Sequence, residues 1–306
     1  MKLPHLLGNP RLKESLASLP PSGVGSAVLL DGPAGIGKRT AAADLAAGLV
    51  CPSANGPCGT CPSCKRALAG SHPDLIWLKE PEPGKGVKLE QVRELRAQSF
   101  LRPSEAPFKV FVIPQADRLN LPSQNALLKV LEEPASSVFV LLCENREAML
   151  QTVRSRCKTF RLAPLEQKEL LAALRSRSDA SAEQLQAAAA QSGGLLGRAL
   201  DILSGQEKAG HTAARAFCQA LRGDELGIFL ACQELTRLHR EEYADFCDES
   251  CRLLTRAAAQ TGDRRYVDTF EYLEKQRAML NQNPSVTALA GALAAFCGGL
   301  SCTEVL

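Results

Sequence analysis

The stretch Ala27-Val28-Leu29-Leu30-Asp31-Gly32-Pro33-Ala34-Gly35-Ile36-Gly37-Lys38-Arg39-Thr40 runs from a compact apolar segment, through a glycine-rich turn, into Ala41 to Val50, which reads as a helix. Strand, glycine turn and helix form the context in which such a turn cradles phosphate. Gly32, Gly35 and Gly37 let backbone N–H groups approach an anion, the helix N-terminus adds its dipole, and Lys38 adds a mobile positive charge. One position departs from a working nucleotide site. Arg39 stands where a serine or threonine hydroxyl would hold magnesium, so the metal loses an oxygen ligand and gains a repelling cation. Thr40 falls one residue late. The loop therefore has the parts for holding phosphate and lacks one for metal-assisted hydrolysis.

Working outward, 306 residues suffice for two or three domains with real cores. The chain is 45% hydrophobic and 23% charged, a balance that excludes extensive disorder and fits a soluble protein. The net charge of +3 is too small to announce a nucleic-acid binder, so any DNA contact must be local or shared with other chains. Residues Met1 to Pro10 carry no apolar core of signal-peptide length, and the apolar run Val286 to Cys302 is short for a membrane span. That run reads as a buried helix with Asn283 as its cap, Pro284 at its first position and its end near Gly298-Gly299. A cytoplasmic protein without membrane association is expected. In that compartment the twelve cysteines are thiols, metal ligands or core residues rather than disulfides.

Beyond Ala27 to Asp31, short β-rich runs recur at Leu75 to Leu78, Val110 to Ile113, Val138 to Leu142 and Thr159 to Leu162. Helical spacing separates them, as in Leu89-Val92-Leu95-Arg96 and in Leu127-Leu128-Val130-Leu131. Compact apolar strands alternating with helices predict a parallel sheet covered on both faces. From Pro164 the β-rich runs stop. Leu165 to Ser176, Ala182 to Ser192 and Leu195 to Leu203 read as three helices, Ser204-Gly205 as a linker, and Ala213 to Phe296 as helical with breaks at Gly223, Gly262 and Asn283-Pro284. The expected organisation is an α/β domain over 1–163, a small helical domain over 164–205 and a larger all-α domain over 206–306.

Cys51, Cys58, Cys61 and Cys64 fall within fourteen residues, in the spacing C-x6-C-x2-C-x2-C. Four thiolates so spaced can close a tetrahedron around zinc, and Gly56-Pro57 and Gly59 provide the tight turns. An iron–sulfur cluster is the rival, but the fourth cysteine and its proline are out of place for the corresponding ferredoxin pattern. A structural zinc knuckle inserted behind the phosphate-loop helix is the preferred reading. His72 reads as a loop residue rather than a further ligand, and the remaining cysteines as small core residues.

An ATPase of this architecture ends its third strand with carboxylates that organise magnesium and the attacking water. Val110 to Ile113 is followed instead by Pro114-Gln115-Ala116-Asp117. Proline cannot bind a metal, glutamine is a poor base, and Asp117 reads as a cap of a helix or turn. Two separate parts of a hydrolytic apparatus are therefore missing.

The run Pro122-Ser123-Gln124-Asn125-Ala126-Leu127-Leu128-Lys129-Val130-Leu131-Glu132-Glu133-Pro134, the knuckle behind the phosphate loop, and Ser155-Arg156-Cys157 together resemble the bacterial sliding-clamp loaders of the AAA+ class. The likeness covers the first two domains, and Asn283-Pro284 before the last helix is similar to the collar domain of those proteins. It implies a RecA-like P-loop domain, a helical lid and a collar through which a hetero-oligomer assembles. Motor subunits of the gamma/tau kind would carry Thr at 39 and Asp-Glu at 114 and 115, so the chain resembles a non-motor subunit. A third departure agrees. Where the motors place a nucleotide-sensing arginine, Gly194-Leu195-Leu196-Gly197 offers glycine, and Arg198 is displaced by one residue, about a hundred degrees of helix rotation.

The resemblance further implies that Arg156 reaches the γ-phosphate held by a neighbouring ATPase. Such an arginine finger, given in trans, is worth roughly 10³–10⁵ in rate. The implied partners are gamma/tau, delta, the beta clamp and primer–template DNA within the complex. Arg154 reads as a surface residue. Two readings of other classes stay open: an active ATPase motor using Thr40 and Asp117, and a zinc-dependent DNA-binding protein with a vestigial loop. The intact Lys38 and glycines leave ATP or ADP binding without turnover open as well.

Overall fold

A computed structural model describes residues 1–53, 55–80, 89–134, 136–206, 208–280 and 284–302. The chain divides into two compact units, Met1–Gly205 and Gln206–Leu306. In the first, α1 (Pro10–Ala17), β1 (Ala27–Asp31), α2 (Lys38–Val50), α3 (Pro62–Leu68), β2 (Leu75–Trp77), α4 (Leu89–Ser99), β3 (Lys109–Ile113), α5 (Leu121–Glu132), β4 (Ser137–Cys143), α6 (Gln151–Arg154) and β5 (Lys158–Arg161) are followed by α7 (Gln167–Arg175), α8 (Ala182–Ser192) and α9 (Leu196–Ser204). The five strands form one sheet in the order β2-β3-β4-β1-β5, with every neighbouring pair parallel. The strands lie where the apolar runs predict them.

β1, β3 and β4 are buried along their whole length, as parallel strands covered on both faces must be. Successive side chains alternate between the faces. Val28, Leu30, Val110, Val112, Val138 and Val140 share a cluster with Leu45, Ala46 and Leu49 of α2. Leu29, Phe111, Ile113, Phe139 and Leu141 share the other with Val92 and Leu95 of α4 and Leu127 and Leu131 of α5. Phe111 and Phe139 stack with centroids 5.3 Å apart. The edge strand β5 is largely exposed, which explains its weaker apolar pattern. Helices α7, α8 and α9 have a small core of their own around Leu170, Leu174, Leu185 and Ala199.

The second unit is helical: α10 (Ala209–Ala220), α11 (Glu225–Leu235), α12 (Arg240–Thr261), α13 (Arg264–Met279) and α14 (Val286–Cys302). Its core includes Phe217, Tyr243, Phe246, Leu254, Leu273 and Leu293. The Tyr243 hydroxyl donates to Gln276 Oε1 at 2.7 Å, and Gln276 Nε2 donates to the Leu289 carbonyl at 2.8 Å, which ties α12, α13 and α14 through buried polar atoms. Three expectations need correction. A break the periodicity hides separates α11 from α12, where the Glu242 carboxylate accepts the His239 N–H at 2.7 Å and starts the new helix. α14 begins at Val286, two residues after Pro284, with the Leu289 N–H bonded to the Ser285 carbonyl; Asn283 lies outside the described residues. It also continues through Gly298-Gly299 to Cys302, because glycine weakens a helix without ending it. Among the described residues no helix is long and apolar enough to cross a membrane.

Candidate functional site

The phosphate loop leaves the carboxyl end of β1, which lies between β4 and β5, on the edge where open parallel sheets place their ligands. The Gly32 N–H bonds the Cys143 carbonyl at 3.2 Å, and α2 starts directly at Lys38. The Lys38 ammonium is turned into the loop. It donates to the Gly32 carbonyl at 2.6 Å and the Pro33 carbonyl at 2.9 Å, and it lies 3.7 Å from Glu144 Oε1. Burial lowers its pKa below the usual lysine value, against the opposing pull of Glu144, Asp117, Cys143 and Asp31. Lys38 thus balances acidic strand ends with its own charge.

Arg39 points elsewhere. Its guanidinium lies 5.2 Å from the centroid of the Trp77 ring on β2 and pairs with Glu80. The cation expected to repel magnesium is therefore engaged outside the loop, and the departure at position 39 reduces to the lack of a hydroxyl. Thr40 is exposed on α2. At the end of β3, Gln115 adopts a left-handed backbone with φ 50°. Asp117 caps a turn, with Oδ2 accepting the N–H groups of Glu144 at 3.2 Å and Asn145 at 3.0 Å just past β4.

The start of α9 closes on the loop from another side. The Gly197 N–H donates to the Gly35 carbonyl at 3.0 Å, and a Cβ on Gly197 would stand 2.8 Å from Gly35 Cα. Gly35, with φ 75°, has equally little room: its Cβ would stand 2.9 Å from the backbone N of Arg198. An arginine side chain at 197 would not fit this approach. Arg198 itself is buried, at 4% exposure.

In the knuckle, the Sγ atoms of Cys51, Cys58, Cys61 and Cys64 all lie within 4.8 Å of one another, with Cys51 to Cys61 at 4.0 Å and Cys58 to Cys64 at 3.9 Å. Metal–sulfur bonds of about 2.3 Å in a tetrahedron require edges of about 3.8 Å, so the donor set fits zinc. The Cys61 N–H points at Cys58 Sγ at 3.4 Å and the Cys64 N–H at Cys61 Sγ at 3.3 Å, as suits thiolates. The Cys58 thiol is brought down to about 5, first by the Cys61 N–H and then by Thr60, while burial pushes the Cys64 thiol up to about 12. Gly56 packs so closely that a Cβ there would stand 2.6 Å from Cys51 Cβ. His72 is not a ligand but a buried acceptor: its Nδ1 takes the Asp74 N–H at 3.1 Å, and burial lowers its pKa.

Arg156 follows α6 on the approach to β5. Its Nη2 donates to Glu132 Oε1 at 2.7 Å and its Nη1 to the Thr152 carbonyl at 2.9 Å, and the side chain is 37% exposed. Cys157 beside it is pushed up to about 12 by burial and is chemically quiet. Arg154 pairs with Glu147 at 2.6 Å. α5 frames the segment. Leu127 and Leu131 are buried in the core with Leu128 packed against it, and Gln124, 4% exposed, donates to the Leu119 and Ala148 carbonyls and accepts the Leu150 N–H at 2.6 Å. Neither Gln124 nor Glu132 is singled out by sequence reasoning. The available signal was Gln124 itself, a polar residue on the apolar face three and seven positions before Leu127 and Leu131.

A phosphate loop at the carboxyl edge of a five-stranded parallel sheet, running directly into α2, defines a P-loop α/β fold. The family described as DNA polymerase III, delta subunit, matches residues 10–166, and the chain belongs to it. Over 134 residues it is 41% identical to the DNA polymerase III subunit delta prime of Pseudomonas aeruginosa, covering 43% of this chain and 41% of that protein. Over 147 residues it is 37% identical to DNA polymerase III subunit gamma/tau of Mycobacterium bovis, covering 46% of this chain and 25% of that protein. The chain thus matches less than half the length of these curated relatives. A solved gamma subunit-related protein from Thermotoga maritima is 16% identical with a TM-score of 0.48, covering 93% of this chain and 97% of that one. Membership of the family stands on the family match, and the likeness to delta prime and to gamma/tau on these curated relatives.

Proposed function

We propose that the protein is a non-hydrolysing subunit of a bacterial clamp loader, of the delta prime kind, that supplies Arg156 in trans to a neighbouring ATPase. The observation that carries this reading is the start of α9, where Gly197 rests on Gly35 and leaves no room at 197 for a nucleotide-sensing arginine. The absence of a hydroxyl at 39 and of carboxylates at 114 and 115 supports it. Asp117 Oδ2 is tied to the N–H groups of Glu144 and Asn145 after β4, and Thr40 is exposed on α2, which together weaken the rival reading as a motor that uses these two residues. Residues 164–205 act as a lid and 206–306 as the collar that joins the hetero-oligomer. The complex, formed with gamma/tau and delta, opens the beta clamp and sets it on primer–template DNA in the cytoplasm. If ATP or ADP binds at Gly32, Gly35, Gly37 and Lys38 it is not hydrolysed, and zinc in the knuckle is structural.

Mixing the full chain with gamma/tau and delta and measuring native mass tests assembly; the expected result is a complex with one copy of this chain. Phosphate release by the purified chain, with and without DNA, tests its idleness. Brisk DNA-stimulated turnover would falsify the non-hydrolysing reading and favour a motor.

A further inference from the structure

We propose that Glu132 is the positioning residue for Arg156, holding its guanidinium where a neighbouring triphosphate meets it; the proposal rests on the arginine-finger reading. Glu132 is the last residue of α5 and Glu133 its cap, so two carboxylates sit at the negative end of a helix dipole, where acidic groups are disfavoured. A half-exposed ion pair adds little stability, so the pair is poorly explained as a device for holding the fold. Its geometry does explain placement.

Arginine carries five donors in a rigid planar fork. Two of them are engaged here, Nη2 on Glu132 Oε1 and Nη1 on the Thr152 carbonyl. The fork can keep both anchors while its other N–H edge meets an incoming oxyanion. The two anchors also belong to one frame. Glu132 ends α5, Thr152 lies in α6, and Gln124 of α5 accepts the Leu150 N–H directly before α6. The guanidinium is thereby tied to the buried core through a carboxylate at one end and a carbonyl at the other. Without Glu132, a long side chain on a half-exposed surface would have to be ordered anew at each catalytic event, a cost that corresponds to a loss of about three- to tenfold in rate.

The test uses the complex reconstituted with motor subunits, clamp and primed DNA, and follows steady-state ATP hydrolysis. Glu132→Ala is expected to lower kcat about three- to tenfold while KM for ATP, assembly and the melting temperature stay unchanged. Glu132→Gln, which keeps an acceptor oxygen, is expected to restore most of the rate. The double variant Glu132→Ala with Arg156→Ala should be no slower than Arg156→Ala alone. If Arg156→Ala slows hydrolysis while Glu132→Ala does not, or accelerates it, the positioning role is refuted and the finger stands. Losses that multiply in the double variant refute it too. Should Arg156→Ala leave hydrolysis untouched, the finger reading itself fails and this proposal goes with it.

Discussion

Two cations on the same sheet scaffold meet opposite fates. Lys38 turns into its own loop: partial burial lowers its pKa, two loop carbonyls accept hydrogen bonds from its ammonium, and Glu144 faces it at 3.7 Å. Arg156 stays at the surface, 37% exposed, with one carboxylate and one carbonyl as partners. Both cations have an acidic neighbour and two hydrogen bonds in place, but Lys38 has spent two of its three N–H donors on loop carbonyls, whereas Arg156 has spent two of five and stands at the surface. The contrast separates a cation turned into its own loop from one held at the surface. The loop motif alone does not draw that distinction.

Removing the outward cation gives the largest expected effect. Arg156→Ala should slow hydrolysis at the site it serves by roughly 10³-fold or more, with native mass unchanged and clamp loading reduced, as read by single-turnover phosphate release in the reconstituted complex. Equal rates in variant and parent would erase the comparison. Next is the knuckle, which holds the end of α2. Metal analysis is expected to find one zinc per chain, and Cys64→Ser or a strong chelator to cost about 3 kcal/mol, the scale for releasing a closed fourteen-residue loop, read by denaturant melting. An undiminished midpoint after metal removal would count against structural zinc.

Smaller effects concern the frame beside the knuckle. The buried Asp74 carboxylate accepts N–H groups of Ser104, Glu105 and Ala106 at 2.7, 2.8 and 2.9 Å. Burial alone would raise its pKa, but the three donors hold it below the usual value. Its stabilising contribution is therefore present above about pH 4 and lost as pH falls through the lower folded-state pKa. Asp74→Asn should cost about 2 kcal/mol at neutral pH and flatten the acid limb of a melting profile. The gentlest case is His72. With its folded-state pKa lowered by burial, the unfolded chain binds the proton first, so stability declines as pH falls below about 6.5. His72→Asn, which can still accept the Asp74 N–H, is expected to remove that decline between pH 6.5 and 5; an unchanged slope would assign the titration to another group.

Much of this molecule is readable along the chain. β1, β3 and β4 are legible because a strand buried on both faces must be apolar at every position, and α5 because its leucines repeat at helical spacing. The knuckle is legible because four thiols within fourteen residues meet by local turns. The break between α11 and α12 is hidden because Arg237, Leu238 and His239 continue a helical composition, and the new helix starts through a single Glu242 carboxylate. Glu132 is hidden because a charged residue at a helix end usually faces water, and its partner lies 24 residues away.

What the amino-acid order alone determined was chemistry of short range: which residue types stand in the loop, which hydroxyl and carboxylates are lacking, and which cysteines can share a metal. The tertiary structure decided where each charge is spent. That Lys38 turns inward, that Arg39 lies over Trp77, that Gly197 rests on Gly35 and that Glu132 holds Arg156 all depend on segments brought together from distant parts of the chain. A side chain's availability is set by the acceptors and the burial that the fold supplies, and local sequence carries neither.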